Sequence, residues 1–433
     1  MRIAYITPGA GLPYYCQNCF RDIDLLKAFL ALGHDIVKVP MYLPEGVQDP
    51  DIRHTPVFYG AINVYLKEKA ALFRHAPPWL ERFLDLPLFL QLAARKSGST
   101  RPNGLEEMTL SMLRGEAGRQ ASELEHLIRH LRGEIRPDIV HLSNALLLGL
   151  AGRLKSELGV RLVCSLQDEN EWVDLMEDSY RRRVWELMAE RARPVDLFVT
   201  PSRYYAEKMQ ARLRLPEGRV KVIRGGLSVE KYEESPLPFD PPVLGYLCRM
   251  SPYFGMGILV DAFLGIKKNP QFRGLRLHLA GGYAAEDRPF VKRMRRKIAA
   301  AGFEKDVTFF EHFDQQGRIR FLKTLTLLSV PVPSGEAFGA YQAEALAAGV
   351  PVVQPEVGCY PEFVELTGGG VIYQPNESGR LAAAVTGLLE DPDRIRALAA
   401  RGKAKVGEYF TISRSAGDFL EAYRALPVPA APA

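Results

Sequence analysis

Short apolar runs of strand length alternate with longer segments of helical periodicity along most of this chain, and no other feature constrains the fold as strongly. This alternation is typical of parallel sheets whose faces are covered by helices. In the first half the pattern predicts a helix at about residues 20–32. It also predicts strands at residues 3–6, 35–39, 139–141, 161–165, 197–200 and 220–223.

A proline-rich stretch at residues 234–242 (ESPLPFDPP) then interrupts the pattern, and prolines with few periodic residues are typical of a linker. The alternation restarts beyond it, with strands predicted at residues 243–247, 275–280, 307–310, 327–332, 351–354 and 371–373. We therefore expect an α/β protein with two doubly wound, Rossmann-like domains, at residues 1–235 and 236–410. Ligands bind at the carboxyl ends of such strands, which predicts a central cleft between the domains. Residues 411–433 are expected to form a final helix that packs back on the first domain, followed by a frayed tail.

Length and composition limit the number of domains, the binding partners and the compartment that we expect. The 433 residues exceed what one hydrophobic core organises, in agreement with two domains. With 56 Lys and Arg against 51 Asp and Glu, the net charge of +5 gives no indication of nucleic acid binding. The amino terminus runs directly into a strand, the five cysteines are an odd number, and no apolar run is long enough to span a membrane. These features predict a cytoplasmic protein.

One insertion, at about residues 58–130, breaks the rhythm. Its part at residues 58–96 is aromatic, apolar and basic at once. A helical insertion packed on the first domain is the favoured interpretation. A lid over an acceptor, or a surface that contacts a membrane peripherally, is the alternative.

The most specific motif is SGEAFGAYQAEALAAGVPVV at residues 334–353. It predicts a helix that starts near Phe338, and the free N–H groups and positive dipole end of its first turn, at Phe338, Gly339 and Ala340, would bind phosphate oxygens. Glu336 precedes the helix. Glu344, predicted to lie about two turns into it, could accept hydrogen bonds from the two hydroxyls of a ribose. The alternative is a solvated helix face, on which two glutamates are common.

With the strand before it and the segment AGVPVV after it, this motif resembles the donor-binding signature of the retaining family 4 glycosyltransferases, which have the GT-B fold. The turn GCYPE at residues 358–362 is similar to the family's Gly-Gly-x-Pro-Glu, with Cys359 in place of the second glycine. The segment at residues 247–263 resembles the opening of the family's second domain. Arg249, Pro252 and Gly255 match there, whereas Cys248 and Phe254 replace a glycine and a lysine.

The resemblance implies a hexosyltransferase of glycan biosynthesis. It would move a sugar from a UDP-, GDP- or ADP-linked donor to the hydroxyl of a glycan, a lipid-linked or a small-molecule acceptor, with retention and without cofactor or metal. Glu336 would orient the donor sugar, Glu344 would hold the ribose, and Arg249 with the helix start would neutralise the departing diphosphate. The Gly-rich turn with Gly9 and Gly11 would approach the diphosphate from the other wall of the cleft.

The first domain offers acceptor-side candidates at two predicted strand ends. His141 and Ser143 stand where many relatives have His-x-His, so that Ser143 replaces the second histidine. Gln167 and Asp168 stand where relatives often have His-Asp, which makes Asp168 a further catalytic candidate. A packed core histidine is the favoured interpretation of His141, and helix capping is an equal alternative for Asp168.

Two cysteines, Cys16 and Cys19, form a C-x-x-C motif near the start of the first helix. Redox chemistry or half of a metal site would be the functional interpretations. Because no second ligand pair has matching spacing, we expect reduced, metal-free thiols that are packed at the helix start.

Two other functions stay open at this stage. The replacements at Ser143, Gln167 and Phe254 are compatible with a GT-B pseudoenzyme that binds a nucleotide or glycan, or scaffolds other transferases, whereas the glutamate pair argues against it. An epimerase or phosphorylase on the same fold is the third possibility, although a phosphorylase would normally need a pyridoxal phosphate lysine, for which no clear motif is present.

Overall fold

A computed structural model describes residues 1–8, 15–42, 51–55, 57–58, 104–233, 235–310 and 312–427. Gly9 and Gly11, most of the insertion predicted at 58–130 and the end of the tail lie outside these residues. The chain divides into two compact units. The first contains Met1–Gly11, Asp22–Ile223 and Ala416–Ala433, and the second contains Leu12–Arg21 and Arg224–Ser415.

The first unit has a parallel sheet of seven described strands in the order β3-β2-β1-β4-β5-β6-β7. The strands are β1 (Arg2–Thr7), β2 (Asp35–Pro40), β3 (Arg53–His54), β4 (Ile139–Leu142), β5 (Arg161–Ser165), β6 (Leu197–Thr200) and β7 (Val220–Val222). From β1 the chain builds the sheet outward to one side and then returns to build the other, which is the doubly wound arrangement. All six strands predicted for this half are present, and the two-residue β3 is an addition.

Helices follow the strands, as right-handed crossovers between parallel strands require. Those described in this half of the chain are α1 (Gln17–Ala31), α2 (Glu106–Leu113), α3 (Ala121–His130), α4 (Ala151–Leu158), α5 (Glu169–Val173), α6 (Asp178–Arg191) and α7 (Arg203–Leu213). The first turn of α1 belongs to the second unit, and its remainder belongs to the first.

The second unit has a parallel sheet of six described strands in the order β10-β9-β8-β11-β12-β13. They are β8 (Val243–Leu247), β9 (Arg276–Ala280), β10 (Val307–Phe309), β11 (Leu327–Leu328), β12 (Val352–Pro355) and β13 (Gly370–Tyr373). The α-helices described in this half of the chain are α8 (Met256–Ile266), α9 (Arg288–Ala300), α10 (Gln315–Leu322), α11 (Ala340–Ala347), α12 (Tyr360–Thr367), α13 (Ser378–Leu389), α14 (Pro392–Tyr409) and α15 (Ile412–Ala425). The expected fold class, with two doubly wound parallel sheets, is confirmed.

Most of α15 belongs to the first unit, where its aromatic side chains enter the core. Phe419 and Tyr423 lie with ring centroids 6.3 and 6.0 Å from that of Phe29 on α1. Aromatic rings at such distances contribute beyond their buried area. The carboxyl-terminal helix is therefore an integral part of the first unit's core.

Strand β11 is shorter than the predicted strand at residues 327–332. The Ser329 N–H still donates to the Gly245 carbonyl at 3.0 Å, but the next N–H, that of Val330, donates at 3.0 Å to the side-chain oxygen of Gln354. A side chain from β12 thus replaces the neighbouring backbone as hydrogen-bond acceptor, and the ladder ends early. No helix within the described residues is long and apolar enough to cross a membrane.

His278 on β9 provides a test of how the second unit responds to pH. Its Nδ1 lies 2.9 Å from the Thr324 hydroxyl and its ring packs on Phe310. Burial, aided by the nearby charge of Arg276, lowers the pKa of His278 from 6.5 to about 4. Between these two pH values the unfolded chain binds a proton that the native protein does not, so stability falls as the pH falls.

We predict that from pH 7 to pH 4.5 the protein loses about 1–2 kcal/mol more unfolding free energy than a His278→Gln variant, a value discounted for partial exposure. Urea unfolding followed by circular dichroism at each pH measures this difference. Parallel losses in the two proteins would contradict the assignment to His278.

Candidate functional site

Two glycines bring the loop before α11 against the turn before α12. Gly335 has φ 67° and Gly358 has φ 62°, both in the left-handed region that favours glycine. A Cβ on Gly335 would lie 2.5 Å from the Cα of Gly358, and one on Gly358 would lie 2.7 Å from the backbone nitrogen of Glu336. The Cys359 N–H donates to the Glu336 carbonyl at 3.1 Å. The predicted motif and the GCYPE turn therefore form one structural unit around Glu336.

Glu336 is 2% exposed, and three neutral side chains donate hydrogen bonds to its carboxylate. Its Oε2 accepts hydrogen bonds from the hydroxyls of Tyr341 and Tyr360, the latter at 2.9 Å, and its Oε1 accepts from Nε2 of Gln17 at 2.9 Å. Burial raises the pKa of both tyrosines well above 10, and the Glu336 charge raises it further. Both hydroxyls therefore stay protonated and serve as donors to Glu336.

Helix α11 begins at Ala340, two residues later than the predicted start near Phe338. Gly339 precedes it with φ 64° and gives the helix no side-chain cap. The N–H of Ala340 instead donates at 2.7 Å to Oε1 of Gln17. Phe338 packs against Phe410, with ring centroids 5.8 Å apart. The positive end of α11 is thus capped by a side chain more than three hundred positions away in sequence.

Glu344 lies four residues after the start of α11, about one turn rather than the predicted two. Its side chain is buried, not on a solvated face. Oε1 accepts a hydrogen bond from the Tyr15 hydroxyl at 2.9 Å, and Oε2 pairs with Nε of Arg318 on α10 at 2.8 Å. Burial disfavours the charged form of Arg318, but the Glu344 carboxylate raises the pKa of Arg318 above its ordinary value. Burial and the adjacent Glu344 charge also raise the pKa of Tyr15 well above 10.

Arg249 follows β8 and lies between two acidic side chains. Its Nε donates to Asp287 Oδ2 at 2.8 Å and its Nη2 donates to Glu286 Oε1 at 2.8 Å. Arg249 is 8% exposed, so these charge-assisted bonds hold the guanidinium in one orientation. The structure therefore gives Arg249 two carboxylate partners that the sequence did not indicate.

Phe254 and Arg249 belong to the same turn of the second unit. The buried Tyr246 hydroxyl donates to their two backbone carbonyls, at 2.9 Å for Arg249 and 3.0 Å for Phe254. Gly255, with φ 75°, comes next and begins the approach to α8, where a Cβ would lie 2.1 Å from the Pro331 carbonyl oxygen. Phe254 thus lies in the loop next to Arg249, half-buried.

His141 in the first unit is wholly buried in the core. Its Nε2 lies 2.8 Å from the Ser165 hydroxyl, and its Nδ1 forms a hydrogen bond with the Tyr423 hydroxyl. Its ring centroid is 4.8 Å from that of Tyr5. With both ring nitrogens satisfied inside the protein, these are the contacts of a packed core histidine.

The ends of β4 and β5 are joined by a residue that the sequence did not single out, Glu169. Its carboxylate accepts hydrogen bonds from the N–H groups of Ala145 and Gln167, each at 2.9 Å, and from the Tyr205 hydroxyl at 2.8 Å. Burial raises the pKa of Glu169. Ser143 is 2% exposed, and its carbonyl accepts a hydrogen bond from the Gln167 side chain.

Asp168 stands immediately before α5 but makes no side-chain cap hydrogen bond, so helix capping does not explain it. Its φ of 63° places it in the left-handed region, where a residue other than glycine is uncommon. Such backbone conformations concentrate at functional sites. Asp168 is also partly exposed, whereas its neighbour Glu169 is buried.

The prediction of reduced thiols at Cys16 and Cys19 is wrong, because the structure joins them in a disulfide. The first turn of α1 brings their Cα atoms to 5.4 Å, within the range that a disulfide needs. The three other cysteines, Cys164, Cys248 and Cys359, are free and buried. No cluster of three or more His, Cys, Asp or Glu side chains within the described ranges could hold a metal ion.

Five residues around the two glutamates were missed by the sequence analysis. The donors that they supply come from three separate parts of the chain, namely Tyr15, Gln17, Arg318, Tyr341 and Tyr360. Tyr341 and Tyr360 lie within the two glutamate-containing motifs, and Tyr15 and Gln17 flank Cys16, whereas Arg318 lies near no motif that the sequence offers.

Two doubly wound, Rossmann-like units are the arrangement known as the GT-B fold, and solved structures with this fold match the chain. HepE from Anabaena, solved with UDP and glucose, is 17% identical with a TM-score of 0.69, and the match covers 98% of this chain and 100% of that one. Sucrose-phosphate synthase from Thermosynechococcus elongatus is 18% identical with a TM-score of 0.71, covering 98% of each chain.

Two family models match adjoining parts of the chain. The model described as glycosyltransferase family 4 matches residues 99–231, and the model described as glycosyl transferases group 1 matches residues 229–405. Together the two models span residues 99–405 of the 433, so the chain belongs to the glycosyltransferases that these two models describe.

Curated relatives of this family are distant. A D-inositol 3-phosphate glycosyltransferase from Thermobispora bispora is 26% identical over 86% of this chain and 93% of its own length. The mannosyltransferase LpsB of lipopolysaccharide core biosynthesis from Rhizobium meliloti is 27% identical over 44% of this chain and 54% of its own length. Except for the first of these, the matched region spans about half the length of the curated relatives.

The Arg318–Glu344 pair allows a test of the site's construction. We predict that Arg318→Gln lowers the free energy of unfolding of the second unit by about 3–5 kcal/mol, because the buried Glu344 carboxylate loses its charged partner. Arg320→Gln, an exposed position on the same helix, should change it by no more than about 0.5 kcal/mol. Urea unfolding followed by circular dichroism measures both variants, and equal small losses would contradict the pair's role.

Proposed function

We propose that this protein transfers a sugar from a nucleoside diphosphate donor to an acceptor hydroxyl, with retention at the anomeric carbon. The observation that supports this function is the gathering of Glu336, Glu344 and the first N–H of α11 in one part of the second unit. A carboxylate for the sugar, a carboxylate for the ribose and a helix amino terminus for phosphate are the groups that such a donor needs.

Glu336 is proposed to orient the donor sugar. Tyr341 and Tyr360 donate to one of its oxygens and fix the side chain, while the other oxygen accepts from Gln17, a neutral partner that sugar hydroxyls can replace. Glu344 is similarly fixed by Arg318 through one oxygen, and its second oxygen accepts from Tyr15. In each case one oxygen is held and the other is available for exchange with a ligand hydroxyl.

The departing diphosphate is proposed to be stabilised by Arg249 and by the Ala340 N–H at the start of α11. Cationic and N–H donors lower the barrier when they are already aimed at the charge that develops. Glu286 and Asp287 hold the Arg249 guanidinium in place before the donor arrives. The proposed reaction needs no metal and no cofactor besides the donor itself.

The acceptor is proposed to be a glycan, a lipid-linked or a small polyhydroxylated molecule that approaches Asp168. This residue is partly exposed just beyond the carboxyl end of β5, and the Gln167 N–H just before it donates to the buried Glu169 carboxylate just after it. Relatives named for inositol 3-phosphate and for the lipopolysaccharide core support acceptors of this kind. HepE, solved in complex with UDP, makes UDP-linked sugars the first donors to test.

We predict that the protein releases nucleoside diphosphate from at least one UDP-, GDP- or ADP-linked glucose or mannose, and that Glu336→Gln lowers this rate about 100-fold or more, because the donor sugar loses its orienting charge. Chromatography of the nucleotide products measures the rate, and NMR of the released sugar reports whether the anomeric configuration is retained. The assays are run with and without dithiothreitol, because Gln17, which donates to Glu336, directly follows the disulfide-bonded Cys16.

Glu344→Gln should weaken nucleoside diphosphate binding by about 1–3 kcal/mol through its loss of charged hydrogen bonds. Glu365→Gln, an exposed glutamate on α12, is the matched control and should leave binding unchanged. Circular dichroism checks that each variant is folded. Tight nucleotide binding without turnover of any donor would refute the proposed transferase activity. Absence of nucleotide binding would refute the proposed donor site.

Phe254→Lys should tighten nucleoside diphosphate binding by about 1–2 kcal/mol, roughly ten-fold, because a lysine beside Arg249 adds a charge-assisted bond to phosphate. Titration calorimetry measures the change. Tyr253→Lys, which places the same charge one residue earlier at a position that is 43% exposed, should have a smaller effect. Lower affinity together with lower stability would instead show that Phe254 packs against its surroundings.

A further inference from the structure

The groups assigned to the donor are engaged by one short stretch of the chain, residues 15–20, which we name the strap. Its Tyr15 hydroxyl donates to Glu344, and its Gln17 side chain donates to Glu336 while accepting from the Ala340 N–H, at 2.9, 2.9 and 2.7 Å. Glu344, Glu336 and the Ala340 N–H, the groups proposed to bind ribose, sugar and phosphate, are therefore each hydrogen-bonded to the strap.

Further contacts hold the strap in this position. The Tyr15 N–H donates to the Gly281 carbonyl at 2.7 Å. The guanidinium carbon of Arg318 lies 4.3 Å from the ring centroid of Phe20 and 5.4 Å from that of Tyr15. These cation–π contacts join both ends of the strap to the arginine that pairs with Glu344.

A disulfide crosses the middle of the strap. Cys16 lies between Tyr15 and Gln17, and its partner Cys19 lies one helical turn further on. Both cysteines are partly exposed, whereas the free cysteines are buried. The N–H of Cys19 lies 3.3 Å from Sγ of Cys16, where it would stabilise a thiolate at the start of α1.

We propose that Cys16 and Cys19 form a redox-active pair that controls access to the donor site, so that the disulfide form holds the strap over Glu336, Glu344 and the start of α11, and the dithiol form releases it. This inference rests on the donor site proposed above. The cross-link restricts the turn that presents Tyr15 and Gln17, and its loss lets the donor's hydroxyls and phosphates compete for the same partners. Only the molecules with a released strap bind donor, so the apparent affinity scales with their fraction.

The switch needs a dithiol reductant as its partner. One thiolate of that dithiol attacks a sulfur of the pair, forming a mixed disulfide and displacing the other cysteine as a thiolate. The reductant's second thiolate then attacks the reductant's own sulfur in this mixed disulfide and displaces the remaining cysteine as a thiolate. Two electrons pass from the dithiol to the pair, the reductant becomes a disulfide, and two protons end on the cysteine sulfurs.

Titration calorimetry with UDP, GDP and ADP tests the switch on the whole chain. We expect the best of these nucleotides to bind about ten-fold more tightly after treatment with dithiothreitol than to the disulfide form. The double variant Cys16→Ser/Cys19→Ser should bind like the reduced protein and should not respond to dithiothreitol. Mass spectrometry after alkylation verifies the state of the pair in each sample.

The Gln17→Ala variant distinguishes a strap that covers the donor site from a strap that supports it. If the strap covers the site, this variant in its disulfide form should bind nucleotide more tightly than the unmodified disulfide form. Weaker binding by Gln17→Ala, or equal affinity of the disulfide and dithiol forms, would overturn the switch while the donor site stands. Failure of every form, including the double variant, to bind any of the three nucleotides would overturn the donor site and the switch together.

Discussion

Two carboxylates buried close to the start of α11 set the requirement that the rest of the site satisfies. A buried charge without hydrogen-bond donors costs several kcal/mol, so Glu336 and Glu344 cannot stay ionised inside the second unit unless other segments supply donors. Those donors come from the strap, from α10 and from the turns around α11 and α12. The position of each of these segments is therefore coupled to the two glutamates.

The partners of the two glutamates differ in a way that suits binding. Each carboxylate has one oxygen held by groups built into the unit, Arg318 for Glu344 and the two tyrosines for Glu336, and one oxygen bonded to the strap. Exchange of one neutral donor for another costs little net free energy, whereas loss of all donors costs much more. Each glutamate is thus held through one oxygen, while the bond from its other oxygen to the strap can be exchanged for a bond to a ligand.

Much of the fold could be predicted from the sequence because strand and helix periodicity are local properties. The strands predicted in both halves are present, and β8 has the predicted bounds, Val243–Leu247. The errors occur where a side chain from elsewhere intervenes. Gln354 ends β11 early, and Gly339 delays the start of α11 by adopting a left-handed conformation.

The sequence by itself determined the α/β class and the glutamate motif, since these depend on residue spacing along one element or its flanks. Only the tertiary structure decided that Arg249 is held by Glu286 and Asp287 and that His141 is a core residue. It also decided that a disulfide joins Cys16 and Cys19 next to Gln17, which donates to Glu336. Tyr15, Gln17 and Arg318 reach the glutamates from far along the chain. Hydrogen bonds between distant residues leave no periodic trace in sequence, because any residue with a suitable donor can make them once the fold brings it close.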